Sequence, residues 1–147
     1  PQCLICPLMG VCVAQKEGAP ERYPVKTRKL IRRSESWWLL LLIRLDRAVW
    51  LETRPSTGIW AGLQCAPTFP DRETAVNAAA AIAPLAPLRE HAAFLHVLTH
   101  RDLHLHPLAI AVDHECRPSE TGRWFQATEW PQAGLPAPMR KILEDLA

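Results

Sequence analysis

The sequence predicts a mixed α/β (α+β) fold, in which a β-sheet is flanked by helices. Several short segments carry strand patterns, either continuous apolar runs or apolar–polar alternation, and turn residues separate them. Two further segments, 71–82 and 137–146, have the composition or the spacing of helices. An apolar content of 48% is sufficient for a real core, and a charged share of 22% is typical of globular proteins.

The segment from Val49 to Phe69 is the part around which the chain is organised. Alternation of side chains over 49–54 indicates a half-buried strand. Pro55 to Gly58 has turn chemistry, because proline presets the bend and glycine adopts a positive φ at low cost. Residues 59–63 are interpreted as a second extended segment, in which Gly62 allows close approach of Trp60 or of a neighbouring backbone.

The remaining elements follow in chain order. Trp37 to Arg44 is an apolar run that suits a central strand covered on both faces. Asp71 is the expected N-cap of an alanine-rich helix that Pro84 and Pro87 end. Further strands are predicted at 91–99, 103–112 and 123–127, and an amphipathic helix with Met139, Ile142, Leu143 and Leu146 on one face closes the chain.

Bulk properties place the chain in a cytoplasmic setting with no membrane contact. At 147 residues it suits one domain plus an appendage. The longest apolar run, 37–43, is too short to span a bilayer, and no signal peptide precedes it. The odd count of five cysteines argues against a secreted disulfide framework. An opening on Pro1 without an initiator Met suggests a piece of something longer.

Three of the cysteines lie close together at the start of the chain. The pattern Cys3-x2-Cys6-x5-Cys12 brings two thiolates within reach of one metal ion, and Pro7 and Gly10 shape the loop before the third. Three thiolates are one short of a closed four-ligand site. Free thiols and part of a larger metal loop are therefore both open interpretations.

Residues 15–34 read as a basic linker. They contain proline, glycine and a run of positive charge with almost no hydrophobic periodicity. The segment is either a solvated basic face or a strap that follows DNA phosphates, which would release counterions on binding. The residues that would contact phosphate are Lys26, Lys29, Arg32 and Arg33.

The histidines and tryptophans have ordinary structural interpretations. His104 and His106 share one face of a predicted strand, but no carboxylate or cysteine joins them at ligand spacing, which favours strand-surface histidines over a metal site. The tryptophans are expected to cover the core and the sheet.

Four motifs together resemble one family. Cys3-x2-Cys6-Pro7-Leu8-x3-Cys12 is similar to the end of the iron–sulfur loop of the adenine DNA glycosylase (MutY) family, and a basic linker follows it. The segment 54–67, RPSTGIWAGLQCAP, resembles the start of that family's C-terminal domain. The segment 94–100, FLHVLTH, is similar to its F-x-H-x-F-S-H loop. The order of the motifs also matches, and they cover essentially the whole chain.

The resemblance implies a domain organisation and a function. Residues 1–14 would end the iron–sulfur loop of the catalytic domain, 15–34 would form the interdomain linker, and 35–147 would be a Nudix-like domain that recognises 8-oxoguanine. The catalytic domain that flips out and excises the opposite adenine would lie upstream, so this chain alone would be inactive. A 4Fe–4S cluster is implied for the parent protein, with Cys3, Cys6 and Cys12 as ligands and a fourth cysteine upstream; the chain alone is not expected to hold it stably. The implied partner is double-stranded DNA with 8-oxoG:A or G:A mismatches, in a bacterial, nucleoid-associated protein.

The loop at 96–100 also contains a side chain that can form a hydrogen bond with 8-oxoguanine but not the same bond with guanine. Guanine N7 is a hydrogen-bond acceptor, whereas 8-oxoguanine carries a hydrogen on N7 and becomes a donor there. A hydroxyl at Thr99 can accept from that N–H. Threonine stands where the family has serine, and Leu98 stands where it has phenylalanine. His96 and His100 are expected to support the loop or to contact phosphate.

Two alternatives belong to other function classes. A Nudix hydrolase needs a helix with the pattern R-E-x-x-E-E, whose carboxylates hold Mg²⁺ against a pyrophosphate. Between Thr74 and Arg89 the chain has no Asp or Glu, which disfavours hydrolysis. A protein-interaction module that docks a sliding clamp or another repair protein is the second alternative, and it is compatible with DNA recognition.

Overall fold

The computed structural model describes residues 1–25 and 32–146. The chain divides into two units, Pro1–Ile31 and Arg32–Ala147. The described part of the first unit contains 3₁₀ turns at Cys3–Ile5 and Pro20–Arg22 and one short helix, α1 (Val13–Lys16). In the part of the chain that the structure describes, no helix is both long and apolar enough to cross a membrane.

The second unit is built on a mixed β-sheet. Among the described residues its strands are β1 (Arg33–Arg44), β2 (Val49–Thr53), β3 (Gln64–Cys65), β4 (Thr68–Phe69), β5 (Arg89–Glu90), β6 (Phe94–Val97), β7 (Arg101–Val112) and β8 (Gly122–Phe125). The main order is β3-β2-β1-β7-β5, with β4 paired to β1, β6 to β7 and β8 to β2. The central pair, β1 and β7, is parallel over its whole length, from Arg33 opposite Arg101 to Arg44 opposite Val112. The other pairs are antiparallel. The β-sheet predicted from the sequence is therefore confirmed, and its pairing is mixed.

Two helices cover the two faces of this sheet. Helix α2 (Arg72–Ile82) begins at the predicted N-cap, where the Asp71 carboxylate accepts a 2.7 Å hydrogen bond from the Thr74 backbone N–H. It ends two residues before Pro84. Helix α3 (Ala137–Leu146) buries the apolar side chains that its spacing predicted, among them Met139, Ile142 and Leu143.

The core lies in two layers, one on each face of the sheet. Alternate residues of β1 point to opposite sides, so Leu39 and Leu41 pack with α3, and Leu40 and Leu42 pack in the layer that contains α2. All four are at most 1% exposed. A strand buried on both faces requires the continuous apolar run that the sequence shows at 37–43.

The strand predicted at 49–54 is confirmed over Val49–Thr53, but the prediction that it is half-buried is wrong. Val49, Trp50 and Leu51 are all buried, because β2 lies between β1 and β8 and both of its faces are covered. Trp50 is 4% exposed and lies against the backbone of Gly122, where a Cβ atom would come within 2.6 Å of the indole. The short strand thus has the burial of a central strand in spite of its alternating polarity.

The second extended segment proposed at 59–63 is also wrong, because residues 56–62 form turns and bends. Trp60, Gly58 and Gly62 have φ values of 58°, 91° and 72°. The role of Gly58 is confirmed. Gly62 has nothing within 4 Å of an added Cβ, so its backbone conformation, and not close packing, requires glycine.

The strand predicted at 91–99 is shorter than expected, because only Phe94–Val97 is strand within that range, and a separate short strand, β5, lies just before it. Strand β6 pairs Phe94 with Leu105, and β5 pairs Glu90 with Leu108, which leaves one extra residue on the side of 91–93. Pro107 lies opposite this irregular stretch and has no N–H to donate to the ladder. The strand pairing therefore breaks between 90 and 94.

Candidate nucleic-acid interface

The loop singled out by the sequence is the tip of a β-hairpin. Strands β6 and β7 pair up to Val97 opposite Asp102, and the Leu98 N–H donates a 2.8 Å hydrogen bond to the Arg101 carbonyl. Thr99 is exposed at this tip. Its hydroxyl therefore lies on the protein surface, where a docked molecule can reach it.

The residues on either side of Thr99 differ in exposure. His100 is exposed, whereas Leu98 is half-buried and packs against the core layer that contains α3. The Leu98 side chain packs inward and thereby anchors the turn to the core. The exposed side chains of the turn are polar.

His96 belongs to an aromatic cluster beside the hairpin. Its ring centroid lies 5.9 Å from that of Trp60, and Trp60 meets Trp37 edge to face at 5.4 Å. The Arg54 guanidinium lies over the Trp37 ring, 5.0 Å from its centroid. Sequence reasoning placed the tryptophans in the core and did not bring these residues together, because they come from three separate segments and no spacing rule pairs them.

Consecutive residues at the end of the basic segment bind the hairpin turn. Arg32 donates from Nη2 to the Leu98 carbonyl at 3.0 Å, and its Nε lies 3.3 Å from an Asp102 carboxylate oxygen. Arg33 is the first residue of β1, and its backbone N–H donates to the His100 carbonyl at 3.2 Å. Part of the predicted linker 15–34 is therefore strand. Lys26 and Lys29 lie outside the described residues.

Positive charge near the turn is partly offset by carboxylates. Arg101 forms an ion pair with Glu35, and Arg32 forms one with Asp102. The Arg33 side chain is exposed beside them. Because two of these arginines are paired with carboxylates, the surface attracts a phosphate backbone less strongly than the number of arginines alone suggests.

His104 and His106 lie on the face of β7 opposite to that of the buried Leu103 and Leu105. The His106 ring stacks on Trp38, with centroids 4.3 Å apart and planes within 8°, and the His104 ring nitrogen Nε2 lies 3.1 Å from the Ser34 hydroxyl. Burial, followed by the charge of His104, lowers the pKa of His106. Among the described residues no group of three or more His, Cys, Asp or Glu side chains is placed to hold a metal ion.

The N-terminal cysteines have the thiol groups that bind an iron–sulfur cluster, but their side chains do not lie together as a ligand group in the described residues. Cys3, Cys6 and Cys12 are free and half-buried thiols, and backbone hydrogen bonds such as Cys12 N–H to Leu8 carbonyl shape the loop that joins them. Within residues 1–25 and 32–146 they do not form a three-ligand group. Their role as cluster ligands stays a prediction.

Helix α2 lacks the groups that a pyrophosphate hydrolase needs. Its inner face is alanine, with Ala75 and Ala79 buried against the sheet, and its only acidic residue is Glu73 in the first turn. Without carboxylates on the later turns this helix offers no ligands to Mg²⁺.

Comparison with known proteins identifies the fold family. The family model described as NUDIX domain matches residues 38–145, which includes every strand after the start of β1 and both helices of the second unit. The chain belongs to the NUDIX domain family. The predicted Nudix-like fold is thereby confirmed.

Curated proteins that match the chain include adenine DNA glycosylases. The adenine DNA glycosylase of Buchnera aphidicola subsp. Acyrthosiphon pisum is 29% identical over 157 residues, which cover 99% of this chain and 42% of that protein. The chain thus spans less than half the length of the curated relatives that it matches.

Two solved structures share the NUDIX fold. One is the C-terminal domain of mouse MUTYH in complex with human PCNA, with a TM-score of 0.62 and 19% identity over 76% of this chain and 86% of that one. The other is the NUDIX domain of Shewanella oneidensis NrtR with ADP ribose, with a TM-score of 0.60 and 13% identity over 86% and 95% of the two chains.

Proposed function

We propose that this chain is the lesion-recognition domain of an adenine DNA glycosylase. In this proposal the NUDIX domain contacts 8-oxoguanine, and a catalytic domain outside the chain hydrolyses the glycosidic bond of the opposite adenine. The observation that carries the proposal is the exposed Thr99 hydroxyl at the tip of the β6–β7 hairpin. Adenine DNA glycosylases that align with 97% to 99% of the chain support it.

The chemistry of recognition is a single change at the purine edge. Guanine offers an acceptor at N7, whereas 8-oxoguanine offers a donor, and a threonine hydroxyl oxygen accepts a hydrogen bond from the lesion. The same hydroxyl can also donate, so selectivity requires that it be held in a fixed position. The turn provides this, since it is closed by the Leu98–Arg101 hydrogen bond and anchored by the half-buried Leu98 side chain.

Hydrolysis of a nucleotide is not favoured for this domain. A hydrolase of this fold family would need carboxylates on α2, where the chain has alanine from 78 to 81. The fold is therefore proposed to serve binding, and the chain alone is proposed to be inactive in adenine excision.

Further partners are proposed for the parent protein. Double-stranded DNA carrying 8-oxoG:A or G:A mismatches is the substrate, and the basic residues Lys26, Lys29, Arg32 and Arg33 add salt-dependent affinity. Repair or clamp proteins are proposed as protein partners, since the C-terminal domain of mouse MUTYH has been crystallised with human PCNA. The 4Fe–4S cluster is proposed for the parent, with Cys3, Cys6 and Cys12 among its ligands. We propose a bacterial cytoplasmic location at the nucleoid.

The test is a comparison of single-turnover adenine excision from 8-oxoG:A and G:A duplexes by the full-length parent protein. Thr99→Ala should lower the 8-oxoG:A to G:A rate ratio by about twofold to tenfold, the value of one hydrogen bond between neutral groups. Thr99→Ser is the matched control, because it keeps the hydroxyl and should keep most of the ratio. An unchanged ratio in Thr99→Ala would remove this hydroxyl from lesion recognition.

A further inference from the structure

The two carbonyl groups on either side of Thr99 are both bound by the strand that enters the domain. The Leu98 carbonyl accepts from the Arg32 side chain, and the His100 carbonyl accepts from the Arg33 backbone N–H. A four-residue turn at a hairpin tip is ordinarily among the more mobile parts of a fold. Here it is fixed at two points by a segment that is 66 residues away from Leu98 in sequence.

The Arg32 guanidinium donates a hydrogen bond to one group and forms an ion pair with a second. Its Nη2 is 3.0 Å from the Leu98 carbonyl and its Nε is 3.3 Å from the Asp102 carboxylate. Asp102 is the partner of Val97 in the strand ladder, directly below the turn. The planar fork of an arginine can bridge a carbonyl and a carboxylate in this way, whereas the compact ammonium of a lysine cannot match both.

We propose that Arg32 is a positioning residue for lesion recognition, which orients the Thr99 hydroxyl by clamping the turn, and that contact with DNA phosphate is not its main role. The clamp consists of the Arg32 guanidinium, the Leu98 carbonyl and the Asp102 carboxylate. This inference rests on the proposed function of Thr99. It assigns a different task to Arg32 from the one that the charge of the linker suggested.

Adjacent arginines provide a matched pair of variants. Arg32→Gln and Arg33→Gln each remove one positive charge, but Arg33→Gln retains the backbone N–H that binds the His100 carbonyl. If both side chains act as phosphate contacts, the two variants should lose DNA affinity equally, and each should reduce the salt slope by about one. If Arg32 is a clamp, only Arg32→Gln should also lower the 8-oxoG:A to G:A excision ratio.

The experiment uses the full-length parent protein and two readouts. The first is the single-turnover excision ratio for Arg32→Gln, Arg32→Lys, Arg33→Gln and the double variant Arg32→Gln/Thr99→Ala. We expect the ratio to fall by about twofold to tenfold in both Arg32 variants, and by no more than in Thr99→Ala. The ratio should change little in Arg33→Gln, and adding Arg32→Gln to Thr99→Ala should cause no further loss. The second is hydrogen exchange at the Leu98 amide, which should be faster in Arg32→Gln than in Arg33→Gln.

The two readouts separate this proposal from the proposed function. Unchanged exchange at Leu98 in Arg32→Gln overturns the clamp, and so does a ratio that Arg32→Lys fully restores. Equal effects of Arg32→Gln and Arg33→Gln on both readouts also overturn it. If Thr99→Ala leaves the ratio unchanged, lesion recognition by Thr99 is refuted instead, and faster exchange in Arg32→Gln still supports the clamp.

Discussion

Replacement of Gly122 by alanine tests the packing of the sheet where the Trp50 ring covers a glycine. A Cβ atom at this position of β8 would lie 2.6 Å from Cε2 and Nε1 of the Trp50 ring. The ring cannot move aside cheaply, because Trp50 is 4% exposed, its Nε1 lies 3.3 Å from Glu52 and its ring meets Trp124 edge to face at 5.3 Å. Overlap of this kind has to be relieved by shifts of the backbone or of the tryptophan pair.

Two effects of opposite sign determine how much Gly122→Ala changes the free energy of unfolding. Overpacking in a well-packed core costs about 1–3 kcal/mol. Replacing glycine by alanine restricts the unfolded chain and contributes about 0.4–1 kcal/mol in the other direction. The steric cost is larger, so Gly122→Ala should lower the free energy of unfolding by roughly 1–2 kcal/mol.

Urea denaturation followed by tryptophan fluorescence measures this change, with Gly134→Ala as the matched control. A Cβ at Gly134 would be 3.6 Å from Leu63 Cδ2, which is ordinary van der Waals contact, so that variant should be neutral or more stable by up to about 1 kcal/mol. The midpoint of Gly122→Ala should decrease by roughly 0.5–1.5 M with an unchanged slope. Equal stability of the two variants would refute the close packing of Trp50 on Gly122.

Two further predictions concern a helix cap and a histidine. Asp71→Ala should cost about 1 kcal/mol of unfolding free energy in urea titrations, because Asp71 caps α2 through Thr74, whereas Asp71→Asn should retain most of it; equal losses in both variants would count against the cap. Because burial lowers the pKa of His106 below its usual 6.5, the unfolded chain takes up the proton first, and stability is lost as the pH falls through 6.5. His106→Phe should keep the stack on Trp38 and show a smaller decrease in Tm between about pH 7.5 and pH 5.5; an unchanged pH dependence would show that His106 does not contribute.

Local signals in the sequence predict the elements whose own residues determine them. The α2 cap follows from Asp71 and the helix end from Pro84, and the buried strand β1 follows from its apolar run. Thr99 ends the strand predicted at 91–99, and the polar residues 100–102 that follow it predict a turn at this place. These features depend on neighbours in sequence, so the pattern alone is sufficient.

Features that depend on partners far away in the chain are not predicted. The alternation at 49–54 indicates a half-buried strand, yet Trp50 is buried because Gly122 leaves room for it across the sheet. The break between β5 and β6 depends on the pairing of 89–97 with β7, which contains Pro107. The aromatic cluster of Trp37, Trp60 and His96 and the Arg32 clamp join distant segments in the same way.

In the proposed function, the Thr99 hydroxyl accepts a hydrogen bond from N7–H of 8-oxoguanine. The most direct measurement is a crystal structure of the full-length protein bound to a duplex in which 8-oxoguanine lies opposite a non-cleavable adenine analogue. We expect Thr99 Oγ1 to lie about 2.7–3.2 Å from N7 of the lesion, with the Leu98 carbonyl still bound by Arg32. A hairpin tip that faces away from the duplex, with another residue accepting from N7–H, would contradict it.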